Sequence, residues 1–384
     1  MSAVAAGAFW LSAFALLYTY IGYPVVIALR ARSRPRRVPR PVPEASLPTV
    51  SMILAVRNEE QRIESRLANL LQQDYPRDRF EVIVASDGSS DATDRLVERA
   101  DSDGRVSLVR CPAQGKASAL NTAVGVAHGE VLAFTDARQL FAPDAVRLLV
   151  KAMDSETGAV SGRLQIGSPS RSPATGIRDY WGLESWLRMA ESRTGSVVGV
   201  TGAIYAARRN AFPRIPEGVI LDDLYVPLRI AMDGLRVGYV SEAVAYDEES
   251  KNLKTEFRRK VRTLTGNYQL VRLMPGLLNP ARNPLFVRFL SHKLLRLASP
   301  AFLTAILVAS GFLPGAVYYS LFLAQTAFYG LGLFGLIVPQ SRRLALVRVP
   351  AMIVVFNAAA AIALWVSLTG RQAEVWTAHS RVGA

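Results

Sequence analysis

Two adjacent acids, Asp222 and Asp223, interrupt the apolar run Val219-Ile220-Leu221-Asp222-Asp223-Leu224-Tyr225-Val226-Pro227. A proline-rich turn, Phe212-Pro213-Arg214-Ile215-Pro216-Glu217-Gly218, comes just before it. A carboxylate packed beside Ile220 and Leu221 needs a partner or a chemical job. Two readings stay open. The pair can cap the helix that follows, since acids suit a helix N-terminus. Alternatively Asp223 is a general base with Asp222 beside it.

Three further polar positions lie upstream: Asp87 in Ser86-Asp87-Gly88-Ser89-Ser90-Asp91, Lys116 in Gly115-Lys116-Ala117-Ser118, and Asp136 in Thr135-Asp136-Ala137-Arg138. There is neither a Gly-x-Gly-x-x-Gly after the first apolar run nor a Walker-type lysine motif. What these side chains can do is bind a nucleotide without a phosphate loop. Asp87 can accept the imide N–H of uracil, and Lys116 can approach the anionic part. Asp136 can ligate a divalent ion, Mg2+ or Mn2+, that stabilises a diphosphate leaving group.

The elements that must position them alternate. Thr49–Val56, Phe80–Ala85, Arg105–Arg110 and Glu130–Phe134 are short apolar runs with β-branched members, the pattern of buried parallel strands. Amphipathic segments separate them, the first carrying Leu67, Leu70 and Leu71 after Arg57-Asn58-Glu59-Glu60. Such alternation predicts an α/β parallel-rich sheet with ligands at the carboxyl ends of its strands, where Asp87, Lys116 and Asp136 fall. An acid in one such loop is ordinarily a cap. Three in successive units point to a site.

Both ends of the chain read as membrane. Gly7–Leu29 is uncharged and long enough to span hydrocarbon. Its basic cluster, Arg30 to Arg40, follows the apolar run instead of preceding it, which excludes a signal peptide and places the next domain in the cytoplasm. Pro39, Pro41, Pro43 and Pro48 stiffen the linker. Leu285–Leu297 reads as an interfacial helix, and Ser299–Leu313, Val317–Val338 and Val349–Leu368 as apolar spans. The net charge of +14 fits anionic headgroups, because the basic residues crowd beside apolar segments; nucleic acid is excluded as the partner on that placement. Cys111 is the only cysteine, so no internal disulfide can form, and His128, His292 and His379 are too scattered for a zinc site.

The order of these motifs resembles the family 2 glycosyltransferases of GT-A fold, in particular the membrane-bound branch that makes cellulose, hyaluronan and poly-N-acetylglucosamine. The resemblance covers about residues 49–300. It implies an inverting transferase with Asp223 as base and Asp222 beside it. Glu59, Asp87, Lys116, Asp136, Arg138, Arg259 and Arg262 would hold the donor, Asp136 through the metal. Trp181, Glu184, Thr201 and Gly202 would border the acceptor. Two departures stand out. Arg138 replaces the second acid of Asp-x-Asp, and Arg259-Lys260-Val261-Arg262-Thr263 lacks the glutamine and tryptophan of Gln-x-x-Arg-Trp. The second removes a platform for the acceptor sugar and with it an argument for processive synthesis.

The implied organisation is a transmembrane helix (1–30), a basic linker (31–48), a cytoplasmic catalytic domain (49–250), basic and interface helices (251–298), further transmembrane helices (299–369) and a tail (370–384). The implied partners are a nucleotide-sugar donor, a saccharide or lipid-linked acceptor, the cytoplasmic membrane and an export complex. The alternatives are addition of one sugar to a lipid or polyprenyl phosphate, and a non-catalytic scaffold of an export complex.

Overall fold

The computed structural model describes residues 2–34, 43–100, 104–167, 175–247 and 253–370, with side chains at all of these except 2, 45, 175–181 and 253–256. The chain divides into two units. One is built from Met1–Val26, Ser250–Pro275 and Phe286–Val382, the other chiefly from Ile27–Glu249 with Gly276–Leu285.

The second unit is organised by an eight-stranded sheet. Its strands are β1 (Val50–Val56), β2 (Phe80–Asp87), β3 (Val106–Cys111), β4 (Val131–Thr135), β5 (Leu140–Phe141), β6 (Thr157–Ile166), β7 (Tyr205–Arg208) and β8 (Arg236–Asp247). Their order is β3-β2-β1-β4-β7-β6-β8-β5. The first four strands are parallel, with Leu54 opposite Val84 on one side and Thr135 on the other. Strand β7 runs antiparallel to both β4 and β6. The four apolar runs thus form the strands their composition predicts, and the parallel arrangement extends over half the sheet.

Met52, Leu54, Val82 and Val84 are buried in the core. The helix Ile63–Leu71 covers them with Ile63, Leu67 and Leu70, one face at i, i+4, i+7 spacing. Each such side chain contributes about 1.5–3 kcal/mol on burial. Strand β1 lies between β2 and β4, so the chain crosses to opposite sides of it. That is the switch point at which open α/β sheets leave a crevice beyond the carboxyl ends.

In the other unit and its continuation, four helices among the described residues are long and apolar enough to cross a membrane: Ala3–Arg32, Phe286–Phe312, Ala316–Ile337 and Ala345–Thr369. The interfacial helix expected at Leu285–Leu297 is instead continuous with the span after it, because a π-helical turn at Leu290–Leu294 carries the backbone through without a break. A second π-turn occupies Tyr18–Gly22. The Tyr18 and Tyr20 hydroxyls bond those of Ser291 and Ser299 at 2.9 and 3.0 Å, so polar atoms on these apolar helices satisfy one another. The expected linker falls partly, and the expected tail almost wholly, outside the described residues.

Candidate active site

The crevice is built first from backbone. Beyond β1, Asn58 takes a left-handed conformation (φ 55°), and its side-chain oxygen accepts the Ser90 N–H at 2.8 Å. The Glu59 N–H donates to Thr93 Oγ1 at 2.8 Å, which stitches the loop after β1 to the loop after β2. Glu59 spends its carboxylate on Arg62 at 3.1 Å, so its expected donor-binding role is not supported by its present contacts.

Asp87 ends β2, and its buried carboxylate accepts the N–H groups of Gln114 and Gly115 at 3.0 Å. Arg57 stands 3.9 Å away. This pins the turn before the helix Lys116–Val126, where Gly115 has φ +95° and any residue with a Cβ would be strained. Asp87 therefore shapes the site through the chain that carries Lys116, a coupling that spacing alone does not reveal.

Lys116 is where the distant segments meet. Its Nζ is 3.0 Å from Asp136 Oδ1 and 3.4 Å from Asp222 Oδ2. Burial works against its charge, but Asp136 and then Asp222 outweigh it and raise its pKa, so Lys116 is a cation at every working pH. Asp136 follows β4 directly. Behind it, the buried guanidinium of Arg66 donates to Thr135 Oγ1 and lies over the Phe141 ring at 4.5 Å. Burial pulls the Arg66 pKa down to about 9 against the opposing charge of Asp136, which still leaves it charged near neutral pH.

Asp222 and Asp223 both occupy the first turn of the helix Asp222–Met232. The N-cap position is Leu221 and makes no side-chain capping bond, so the cap reading holds only as a dipole effect: the helix N-terminus favours two negative charges just where Lys116 supplies a counter-charge. The Val200 N–H donates to the Asp223 carbonyl at 3.0 Å, and a Cβ on Gly202 would stand 3.4 Å from Asp223 Oδ2. The loop through Thr201 and Gly202 thus lies against the second acid, and glycine permits that approach.

Thr201 is itself held. Its N–H donates to Ser161 Oγ at 2.9 Å, and its Oγ1 accepts from Arg188 Nη1 at 2.6 Å. Glu184, expected to border the acceptor, is buried and paired with Arg188 at 3.3 Å; its present contact supports the loop. Sequence reasoning missed Arg188, Arg66 and Tyr205. The tyrosine is buried, stacked on Phe134 with centroids 4.5 Å apart. Burial first, then Asp222, Asp223 and Asp136, push its hydroxyl pKa well up. An arginine four residues after Glu184 on a helical segment was the one available signal for the first of these.

Arg138 is engaged away from Asp136. Its guanidinium is paired with buried Asp247, which also accepts from Gln139 at 2.9 Å, and Lys116 is the cation on Asp136. Arg259 and Arg262 lie on the helix Leu253–Leu273 of the other unit. Trp181 is on the helix Thr175–Arg193, with its side chain outside the described residues.

Among the described residues no three His, Cys, Asp or Glu side chains gather as a closed metal cage. Asp136, whose side chain is 41% exposed, fits the other kind of site. One carboxylate suffices for a Mg2+ or Mn2+ that keeps water and substrate phosphate oxygens as its remaining ligands.

Residues 51–215 match the Glycosyl transferase family 2. A probable glycosyltransferase of Bacillus subtilis, YdaM, is 26% identical over 246 residues, covering 59% of this chain and 56% of that protein. The beta-monoglucosyldiacylglycerol synthase of Trichormus variabilis is 29% identical over 262 residues, 65% of this chain and 56% of its own. The chain spans little more than half the length of these curated relatives. Among solved structures, a mannosyltransferase from Pyrobaculum calidifontis in complex with GDP-Man and Mn2+ superimposes with a TM-score of 0.69 at 26% identity. It covers 93% of this chain and 98% of its own.

Proposed function

We propose that this chain, which carries a family 2 glycosyltransferase domain of GT-A fold, transfers a sugar with inversion from a nucleoside diphosphate donor to a saccharide or lipid-linked acceptor at the cytoplasmic face of a membrane. The observation that carries the reading is the convergence on Lys116 of Asp136, from the end of β4, and Asp222, from the start of a helix eighty-odd residues later, with Asp223 adjacent.

Asp223 takes the proton of an acceptor hydroxyl, whose oxygen attacks the anomeric carbon from the face opposite the diphosphate. The bond from that carbon to the diphosphate oxygen breaks, and the electron pair leaves with the diphosphate. Lys116 offers its positive charge to that leaving group. General-base help contributes about 10²–10⁴-fold. A divalent ion, held by Asp136 and by substrate and water oxygens, would supply further charge stabilisation when bound. The loop Thr201-Gly202 shapes the acceptor side of Asp223, with Arg188 and Glu184 bracing it.

Asp87 does not choose the base. A carboxylate accepts equally from the imide N–H of uracil and from the N–H edge of guanine. The GDP-Man bound to the solved relative therefore puts GDP-sugars beside UDP-sugars. A glycolipid acceptor is a specific second reading, favoured by the diacylglycerol glucosyl relative and by the missing tryptophan platform.

The test is a screen of UDP- and GDP-sugars against the purified chain in detergent, scored by nucleotide release with Mn2+ or Mg2+. Release from one donor that rises on adding a lipid or saccharide acceptor supports the reading. No release from any donor defeats it.

A further inference from the structure

We propose that Lys116 is the resident counter-ion of the donor site and imposes an order of filling, in which the nucleotide diphosphate draws Lys116 off Asp136 and only then can a divalent ion bind there. The inference rests on the donor reading above and adds to it a role for this side chain before chemistry begins.

Lys116 Nζ occupies Oδ1 of the one carboxylate that an incoming ion would use. It sits 3.0 Å from Asp136 Oδ1, whereas Mg2+ needs a carboxylate oxygen at about 2.0–2.1 Å. An ammonium and a divalent cation on the two oxygens of one carboxylate repel at close range, in a place where Lys116 is only 33% exposed and Asp222 only 10%. Asp222, at 3.4 Å, anchors the ammonium from its other side, so Lys116 yields only to a stronger anion.

Neighbouring cations do not relieve it. Arg138 is engaged by Asp247, Arg66 by Thr135, and Arg57 faces Asp87. A lysine suits a displaceable role, being a compact charge on a flexible four-carbon stem. A diphosphate offers it more negative charge than Asp136 does. The hinge is also on hand. Asp87 holds the N–H groups of Gln114 and Gly115, immediately before Lys116. A nucleobase edge that competes for Asp87 loosens the same turn that delivers the ammonium.

The experiment titrates Mn2+ alone into the purified full chain in detergent, with free Mn2+ read by electron paramagnetic resonance, and repeats it with UDP or GDP present. Wild type is expected to bind Mn2+ alone at least tenfold more weakly than with the nucleotide it accepts. Lys116→Met is expected to bind Mn2+ alone at least tenfold more tightly than wild type. Lys116→Arg, which keeps the charge, should bind Mn2+ alone no more tightly than wild type, and adding Asp136→Asn to Lys116→Met should remove the gain.

Equal affinity of wild type for Mn2+ with and without nucleotide overturns the proposal. So does a folded Lys116→Met, matched in melting temperature, with no gain. If Lys116→Met does not fold, the wild-type and Lys116→Arg titrations decide alone. A chain that binds neither UDP nor GDP defeats the donor reading and the order of filling. The gain of Lys116→Met for Mn2+ alone would survive that result and keep the counter-ion role separate from it.

Discussion

The parallel half of the sheet, β3-β2-β1-β4, and the mixed half, β7-β6-β8-β5, hold their polar side chains by different means. In the parallel half, backbone N–H groups hold polar side chains after β1 and β2, and only at the end of β4 do side chains, Lys116 on Asp136 and Arg66 on Thr135, take over. Asp87 is held by Gln114 and Gly115, and Asn58 by Ser90. In the mixed half, side chains hold side chains across long intervals. Arg188 braces Thr201 and pairs with Glu184, Arg138 and Gln139 converge on Asp247, and Ser185 meets Tyr239.

The first kind of support survives most side-chain changes, because the backbone donor stays. The second fails when one partner goes, since a buried charge is then stranded. Donor-side and acceptor-side damage should therefore look different.

Asp223→Asn is the hardest blow to that contrast. Transfer should fall by about 10²–10⁴-fold while nucleotide binding is retained, as initial rates and nucleotide titration would show. A parallel loss of binding would erase the distinction between the halves. Next comes Arg188→Met, which removes the cation paired with buried Glu184 and should cost about 3 kcal/mol, read by denaturant unfolding. Arg188→Lys should recover most of that stability yet still raise the acceptor KM, with the donor KM unmoved, because the reach to Thr201 Oγ1 is lost.

On the donor side, Asp136→Asn should weaken nucleotide binding in Mn2+ by about 10–100-fold, the worth of one charge-assisted interaction, with little change in melting temperature. The mildest is Gly115→Ala. With φ at +95° it should cost roughly 1–2 kcal/mol and blunt donor binding more than acceptor binding. An acceptor effect larger than the donor effect would place that turn in the wrong half.

How much of this was legible follows the same divide. Strands β1, β2 and β4 announce themselves because a strand buried on both faces must be apolar throughout, and Thr49–Val56 or Phe80–Ala85 can scarcely be anything else. Asp87, Lys116 and Asp136 stand out because each follows such a run at the end where crevices form. Strand β7, four residues of Tyr-Ala-Ala-Arg, carries no such pattern; it is a strand because β4 and β6 supply both its edges. The partner of Arg138 could not be read from spacing, which puts it two residues from Asp136, whereas Asp247 lies more than a hundred residues away. The helix at Leu285–Leu297 was separated from the next span because Arg288, Lys293 and Arg296 break its hydropathy; helical hydrogen bonding is indifferent to that.

Residue types along the chain set the local terms: which segments are apolar enough for strand or membrane, which turns require glycine, and which loops bear carboxylates. These depend on residue type and on neighbours within a few positions. Which charges meet was settled by the folded packing alone. Whether Asp136 finds Lys116, Arg138 or an ion depends on ångström separations set by the packing of a whole sheet, and Coulomb energy varies steeply over just that range.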